Sequence, residues 1–379
     1  MNKEYKIEQL VKVAKRDNNS KRPYLLVNPL QGKHIPVEPS SALELFKSIS
    51  DKVNKNYPNE RLLVIGFAET ATAIGAVIAC NSINGSYYIQ TTRENLKNSD
   101  YLYFTESHSH ATEQKLIQNN LDTMIANTDR IIFAEDEITT GNTIFELFNI
   151  LKEKYKNRNL HFGISSILNG ITKESLEKFE KNNIKCLYIK KLEKFDYENI
   201  LSKYSYDTGC KMPICMNDDK KYFKEISVFG NSDPRIGILS SEYFENCKIF
   251  STKILNNYEK NQFNNKSVLV LGAEEFMYPA MVVGAEIERI SESAEVKFHA
   301  FTRSPILPSK EDDYPLHVRY ELLSIYNDKR TTYIYNIKKY DKVIILHDSE
   351  NFYEKSFESI FATLNDVGCD DIDIYRWSV

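Results

Sequence analysis

Short apolar runs alternate with small-residue or amphipathic stretches along this chain. The runs at 61–65 and 131–134 are almost continuously apolar, as expected for parallel strands that are buried on both faces. A stretch with helical character follows each of them, which is the order of a strand–helix unit. The pattern predicts an α/β protein with a mostly parallel sheet, with further strands at 87–90, 161–168 and 186–189.

The pattern near the N-terminus is weaker. Residues 1–20 are polar and predict a helical lead-in. The run at 23–27 predicts a strand, and the turn formers that follow it predict a return strand around 34–37. A helix is expected over 41–53, before the main sheet begins.

The second half of the chain repeats the order of the first. The segments 58–66, 89–93 and 129–136 resemble, in the same order and about 206 to 212 residues later, the segments 264–272, 299–303 and 341–348. This ordered self-similarity predicts a second α/β domain that is a degenerate repeat of the first. Turn formers without periodicity after residue 205 indicate a linker. We expect a first domain at 1–205, a linker at 206–225 and a second domain at 226–379.

Length, charge and cysteine content narrow the class of protein. At 379 residues the chain is long enough for two hydrophobic cores. The net charge is −4, and basic and acidic residues are interspersed along the chain, so no basic stripe is available to bind a nucleic acid. Because no long apolar span or signal-type stretch is present, we expect a cytoplasmic protein without a membrane partner. The six cysteines lack metal-site spacing and predict reduced thiols.

One segment carries the clearest chemical signal. Its strand run leads directly into Glu135 and Asp136, before a polar loop and an amphipathic stretch. The loop residues are Thr139, Thr140, Gly141, Asn142 and Thr143. Backbone N–H groups at a helix N-terminus favour a phosphate, and carboxylates at the preceding strand end can accept hydrogen bonds from sugar hydroxyls. The segment predicts a ribose 5-phosphate ligand; an acidic strand end before an ordinary capped helix is the alternative.

This segment resembles the signature loop of type I phosphoribosyltransferases, and in particular of orotate phosphoribosyltransferase-like ones. The matching residues are Glu135, Asp136, Ile138, Thr139, Gly141 and Thr143. The resemblance implies that the loop binds phosphoribosyl pyrophosphate (PRPP) together with Mg²⁺, the metal being held mostly by PRPP oxygens rather than by a protein metal site. Purine-specific enzymes usually have Asp where this chain has Thr139. An orotate-like base, ammonia or an unfamiliar base therefore remain as acceptors.

Two further segments stand where this family binds pyrophosphate. Ala68, Glu69 and Thr70 correspond to the loop that cradles it, although small residues there also serve helix–sheet packing. The Glu69 carboxylate itself is not expected to contact a phosphate. Arg93 corresponds to a basic residue of the family that meets the pyrophosphate, and a surface ion pair with Glu94 is the alternative.

His108 and His110 lie where related enzymes have a mobile loop over the reacting centre. Such a loop excludes water from a cation-like transition state. We expect the two histidines to contact pyrophosphate or to act in acid–base steps. A metal pair lacking a visible third ligand, and ordinary exposed loop residues, are the alternatives.

The resemblance extends into the second half of the chain. Thr302-Arg303-Ser304-Pro305 matches the signature of the TRSP domain, which follows the phosphoribosyltransferase domain in one subfamily. Such fusions are associated with bacterial tellurium-resistance and stress-response gene neighbourhoods, and the resemblance implies a nucleotide- or nucleoside-like product. The second copy has Glu and aromatic residues at 349–353 in place of the Thr/Gly loop, so it is not expected to bind PRPP in the same way.

Charged residues of the second domain predict either a second anionic-ligand pocket or an interface between the two repeats. They are Arg235, Glu274, Glu275, Arg303 and Arg319. Because type I enzymes often dimerise, the resemblance also predicts a homodimer or an intramolecular pseudo-dimer of the two halves.

The predicted reaction is displacement of pyrophosphate from C1 of PRPP by a small nitrogenous acceptor. Glu135 and Asp136 would bind the ribose hydroxyls, and residues 139–143 would fix the 5-phosphate. Arg93 and the 68–70 loop would stabilise the leaving pyrophosphate. A non-catalytic PRPP- or nucleotide-binding regulator and a protein–protein scaffold are the alternatives.

Overall fold

Two parallel sheets, one from each half of the chain, form the centre of the molecule. The computed structural model describes residues 4–19, 22–104, 114–193, 196–209, 223–227 and 233–378. The strands of the first half are β1 (Lys12–Lys15), β2 (Tyr24–Val27), β3 (Leu62–Gly66), β4 (Ser86–Gln90), β5 (Tyr101–Phe104), β6 (Gln114–Ile117), β7 (Arg130–Ile138), β8 (His161–Asn169) and β9 (Lys185–Lys191). Its helices are α1 (Ile7–Leu10), α2 (Pro39–Asn56), α3 (Ala71–Cys80), α4 (Leu121–Ala126), α5 (Asn142–Lys154), α6 (Lys173–Lys181) and α7 (Tyr197–Leu201).

The second half has the same kinds of element. Its strands are β10 (Phe223–Ser227), β11 (Ile238–Leu239), β12 (Ser267–Gly272), β13 (Glu295–Ala300), β14 (Arg319–Leu323), β15 (Thr331–Tyr335), β16 (Lys342–His347) and β17 (Ile372–Ser378). Its helices are α8 (Ser240–Leu255), α9 (Tyr278–Ile290) and α10 (Glu354–Asp366). The predicted mostly parallel α/β fold, with a second α/β domain, is confirmed.

The strand orders of the two sheets correspond. The first sheet runs β4-β3-β7-β8-β9 and the second β13-β12-β16-β17-β10, with parallel pairing throughout these strands. An antiparallel strand pair occurs at the same point of each half. In sequence, β5 and β6 come between β4 and β7, and β14 and β15 come between β13 and β16. The outer strand differs, because β9 follows its sheet in sequence whereas β10 precedes its own. This shared order agrees with the repeat that the sequence predicts.

Each half also completes the sheet edge of the other. The strand β11, just before α8, pairs antiparallel with β4 of the first sheet. Val37, just before α2, forms the matching antiparallel bridge to Phe298 on β13, with N–H···O distances of 3.0 and 2.7 Å. The exchange is reciprocal, as expected of an approximate two-fold arrangement within one chain.

Four helices pack between the halves and form one continuous core with the sheets. Helix α2 packs on α9, and α3 packs on α8. Gly284 permits the close approach of α9 to α2, since a Cβ atom there would lie 2.7 Å from Cγ of Pro39. The largest apolar cluster contains side chains from both sheets, Ile65 and Phe298 among them. The halves are therefore joined by buried apolar surface, the dominant stabilising contribution in folding.

Several local predictions differ from the structure. The helical lead-in is wrong beyond α1, because β1 pairs there with β2. The return strand is also wrong: Val37 pairs across the two halves, a partner that local pattern does not reveal.

The helix expected over 41–53 lies within α2. Strand β10 begins inside the expected linker, and the domain boundaries stay a prediction. Across the described residues, no helix is both long and apolar enough to cross a bilayer.

Candidate functional site

The acidic segment lies at the carboxyl end of the central strand β7. The strand continues through Glu135 and Asp136 and ends at Ile138. Gly141 adopts φ +73°, and α5 begins at the next residue. A Cβ atom on Gly141 would lie 2.8 Å from the ring of Phe179, so both the backbone angle and the available space require glycine. The first N–H groups of α5 therefore follow the two acids closely in sequence, and the Asn142 N–H donates to Oγ1 of Thr140 at 3.4 Å.

The carboxylates of Glu135 and Asp136 have no side-chain partner within the described residues. Their hydrogen bonds come from backbone N–H groups of the same segment. Burial raises the pKa of Glu135 well above its ordinary value, and the neighbouring Asp136 raises it further. Burial also raises the pKa of Asp136. Two partly buried acids without side-chain partners are costly to keep, which is typical of a binding site.

The third acid of the segment has a structural partner. Glu137 accepts a hydrogen bond of 2.7 Å from the Arg22 guanidinium. Arg22 also lies over the ring of Tyr24 in β2. This pair could not be predicted from sequence, because Arg22 and Glu137 are 115 residues apart and meet only in the folded chain. It leaves Glu135 and Asp136 as the two acids free for a ligand.

The loop after β3 contains the predicted residues Ala68, Glu69 and Thr70. The N–H of Ala68 donates to Oγ1 of Thr91 at 2.8 Å, which ties this loop to the end of β4. The Glu69 carboxylate is buried and pairs with the buried Lys33 ammonium. Burial raises the pKa of Glu69, but Lys33 and then Arg303 outweigh it and bring the pKa to about 2. Glu69 therefore remains an anion with protein partners of its own.

Sequence reasoning missed Lys33. Its ammonium lies in the middle of the molecule, 3.3 Å from the Phe301 carbonyl oxygen of the second half. Burial lowers the pKa of Lys33, while the Glu69 carboxylate acts in the opposite direction. The charge of Lys33 also lowers the pKa of Asp136. A lysine in a turn-rich segment reads as exposed, and only the contact between the halves buries it.

The loop after β4 holds the predicted Arg93. No described residue pairs with its guanidinium, and its Nε is buried without a hydrogen-bond partner. Its charge lowers the pKa of Glu135 and of Glu69, which places it in the field of both loops. The alternative pair with Glu94 is not formed, because Arg330 takes that carboxylate at 2.8 Å. Arg93 is thus a cation available to a ligand.

The charged residues of the second domain are mostly an interface. Arg303 donates to Glu274 and to Glu94 of the first half, and it lies 3.6 Å from Glu275. Burial alone would lower the pKa of the Arg303 guanidinium. The negative charges of Glu274 and the other acids have the larger effect, so the pKa is raised above its ordinary value. Arg319 lies elsewhere, paired with Asp17 at 2.7 Å. The structure does not bring the five predicted residues into one pocket.

A cavity of about 640 Å³ lies between the loop after β4 and the carboxyl edge of the second sheet. Arg235 lines it, and the other four predicted residues do not. Its guanidinium pairs with Asp233 at 2.8 Å and with Asp348 at 2.7 Å, so its charge is already balanced. Asp348 also accepts from the Tyr326 hydroxyl. The polar groups at this end of the cavity are therefore bound to each other.

His108 and His110 lie outside the described residues, as do Cys210 and Cys215. Within the described part, no group of three or more His, Cys, Asp or Glu side chains is arranged to hold a metal ion. Cys80, Cys186, Cys247 and Cys369 are free thiols. Burial raises the pKa of Cys80 to about 12 and that of Cys186 to about 11, so these two are poor nucleophiles.

Comparisons with known proteins identify the two halves. Residues 10–190 match the family described as phosphoribosyl transferase, and residues 234–364 match the TRSP domain that lies C-terminal to it. No curated protein matches the chain. Solved structures that resemble part of this chain include three phosphoribosyltransferases of low sequence identity to it.

The first is adenine phosphoribosyl transferase from Trypanosoma brucei, 14% identical over 48% of this chain and 76% of that one, with a TM-score of 0.34. The second is the adenine enzyme from Saccharomyces cerevisiae, 11% identical over 48% and 94%, with a TM-score of 0.33. The third is a hypoxanthine enzyme from Staphylococcus aureus, 13% identical over 40% and 72%, with a TM-score of 0.25. By its two family matches, this chain joins a domain of the phosphoribosyl transferase family to a C-terminal TRSP domain.

Proposed function

We propose that the first domain transfers the phosphoribosyl group of PRPP to a nitrogenous base and releases pyrophosphate. The observation that carries this proposal is the end of β7. Two acids without side-chain partners precede a glycine with positive φ, and a helix N-terminus follows directly. The segment thus supplies the two kinds of group that bind a ribose 5-phosphate, acceptors for its hydroxyls and donors for its phosphate.

Each part of PRPP is assigned to a different group of residues. Glu135 and Asp136 accept from the ribose hydroxyls, and Thr139 to Thr143 surround the 5-phosphate with N–H and hydroxyl donors. The Arg93 guanidinium lies in the field of Glu135 and Glu69, and we assign it to the pyrophosphate. Ala68, whose own N–H is taken by Thr91, gives that group space, and Thr70 offers it a backbone donor. Glu69 stays with Lys33 and does not oppose the phosphates.

The donor set fits Mg²⁺ only as part of a Mg²⁺–PRPP complex. Glu135 and Asp136 are hard oxygen ligands, but the described residues offer no cluster of three or more ligands. When bound, the ion would neutralise pyrophosphate charge as that group leaves. The protein's contribution is to hold the ribose and both phosphate ends in line, which makes orientation and charge stabilisation the main catalytic effects.

The product would be a nucleotide- or nucleoside-like metabolite, and the acceptor remains to be identified by screening. Calorimetric titration with PRPP and Mg²⁺ tests the site directly. The test variant is Asp136→Asn, and the matched control is Asp51→Asn, an exposed acid in α2 that pairs with Lys47. We expect binding by the wild type and the control and weak binding by the variant.

Turnover separates the enzyme from its main alternative. Release of pyrophosphate with one of a panel of bases would establish the transferase. Binding of PRPP without turnover of any base would favour a nucleotide-sensing regulator. Absence of binding by the wild type would contradict the proposal and favour a scaffold.

A further inference from the structure

The TRSP domain reaches into the first domain through one buried carboxylate. Glu275 follows β12, and its Oε2 accepts a hydrogen bond of 2.7 Å from the Thr92 hydroxyl. Its Oε1 accepts one of 3.0 Å from the Arg93 N–H. The Glu275 carbonyl oxygen accepts a third bond, 3.0 Å, from the Thr72 hydroxyl in α3. A residue of the second domain therefore fixes the turn that carries Arg93.

Neighbouring contacts hold the same turn from both sides. Glu94 is paired with Arg303 and Arg330, both from the second domain. Thr92 exchanges backbone hydrogen bonds with Lys115 in the hairpin strand β6, at 2.9 and 3.2 Å. With Thr92, the Arg93 backbone and Glu94 all held, the Arg93 guanidinium is the group of this turn without a partner among the described residues.

The contact of Glu275 with the Arg93 turn has a counterpart at the corresponding position of the other half. Glu69, at the position in the first half that corresponds to Glu275, accepts from the N–H of Arg303 at 3.4 Å. Arg303 corresponds to Arg93, but its guanidinium is consumed by Glu274 and Glu94. Each half thus holds the basic turn of the other, and only the turn of the first half keeps its cation free.

We propose that Glu275 of the TRSP domain is a positioning residue for the PRPP site: by fixing the Thr92–Arg93 turn, it directs the Arg93 guanidinium toward the pyrophosphate. The proposal rests on the proposed function of the first domain. The site is then incomplete without the second domain. Holding the cation before the ligand arrives removes the cost of ordering a flexible arginine on binding.

Two substitutions separate positioning from general packing. Glu275→Ala removes both acceptors from the turn. Glu275→Gln keeps an oxygen for the Arg93 N–H and offers an amide donor to the Thr92 hydroxyl oxygen, so it should restore the turn. Glu286→Gln is the matched control, because that acid lies on the exposed side of α9 and pairs with Arg289. All three are made in the full chain.

Hydrogen exchange of the ligand-free protein gives the first readout. We expect the amides of residues 91–95 to exchange about 10- to 100-fold faster in Glu275→Ala, the range for losing a hydrogen bond to a charged acceptor. Glu275→Gln and Glu286→Gln should stay near the wild type. Unchanged exchange in Glu275→Ala would overturn the proposal without any reference to PRPP.

Kinetics with PRPP give the second readout. We expect Glu275→Ala to raise KM for PRPP by about tenfold or more, with recovery in Glu275→Gln. In an Arg93→Ala background the same substitution should add little, because the group that it positions is gone. An equal effect in both backgrounds would overturn the proposal.

The two readouts keep this proposal distinct from the proposed function. If the wild type neither binds nor turns over PRPP, the transferase assignment fails and the positioning of a pyrophosphate ligand fails with it. Faster exchange of the turn in Glu275→Ala would then show that the contact is real and that the ligand was misassigned. Normal PRPP turnover with unchanged exchange would instead reject the role of Glu275 alone.

Discussion

Asp136 and Asp348 stand at the same place in the two halves, at the carboxyl end of the third strand in each corresponding sheet, but their surroundings are opposite. Asp136 has no side-chain partner among the described residues and is followed by a glycine turn and a helix N-terminus. Asp348 is held by Arg235 and Tyr326, and α10 begins only after Phe352 and Tyr353. The same fold therefore leaves the strand-end acid without a side-chain partner in one half and places it in an ion-pair cluster in the other. The difference lies in whether neighbouring residues leave the acid and the helix terminus available.

The corresponding arginines show the same division, and they give the largest expected effect. Arg303→Ala leaves Glu274 buried with less compensating charge and should lower the free energy of unfolding by about 3 to 5 kcal/mol. Arg93→Ala removes a guanidinium without a protein partner among the described residues, so the stability should change little while PRPP binding weakens. Urea unfolding of both variants, with PRPP titration of the folded ones, makes the comparison. An equal loss of stability in Arg93→Ala would contradict the division.

The two strand-end acids give the next effect. Asp136→Asn should weaken PRPP binding by roughly 10- to 100-fold, since hydrogen bonds to a charged group contribute about 1.5 to 3 kcal/mol. Asp348→Asn should leave PRPP affinity unchanged and lower the melting temperature, because Arg235 loses one of its two acid partners. Calorimetric titration and thermal unfolding distinguish the outcomes. Loss of PRPP binding in Asp348→Asn would mean that the second half takes part in the site.

The pH dependence of PRPP affinity should arise from the two acids of the first half. A ligand that requires Glu135 and Asp136 as anions must displace protons from groups whose pKa is raised by burial. PRPP affinity should therefore rise with pH below the raised pKa, by at most about tenfold per pH unit for each proton released. The titration of PRPP phosphates is removed by comparison with Asp136→Asn, which should show a shallower slope. Equal slopes in the two proteins would show that Asp136 releases no proton when PRPP binds.

The glycine turn gives the smallest effect. Gly141→Ala forces an L residue to positive φ and against Phe179, which should cost about 1 to 2 kcal/mol and weaken PRPP binding severalfold. Gly85→Ala is the matched control, with φ +74° and no atom within 4 Å of an added Cβ. Thermal unfolding should show a smaller loss for the control, and its PRPP affinity should equal that of the wild type. Reduced affinity in Gly85→Ala would make the effect on Gly141 non-specific.

Local pattern was sufficient for the features that depend on adjacent residues. The apolar run into Glu135 and Asp136 predicted β7, and the small polar loop predicted where α5 begins. The ordered similarity of the halves predicted the second α/β domain, because each repeat keeps its own strand–helix periodicity. These features are encoded within windows of a few tens of residues.

Features that depend on contact between the halves could not be predicted in this way. Val37 looked like part of a hairpin, yet its partner is Phe298. Lys33 and Glu275 are buried only because loops of the two halves meet, and their partners are more than 30 and more than 180 residues away in sequence. Arg303 was a candidate ligand-binding residue, but the acids around it are supplied by both halves. Side chains at an internal interface show no local periodicity that would reveal their partners.

The central claim is that the chain holds one PRPP site, built by the first half and supported by the second. Titration calorimetry of the full chain with PRPP and Mg²⁺ tests it most directly, because it returns a stoichiometry. We predict one site per chain, weakened roughly 10- to 100-fold in Asp136→Asn and unchanged in Asp348→Asn. Two sites per chain, or one site that is unchanged in Asp136→Asn and weakened in Asp348→Asn, would contradict the account.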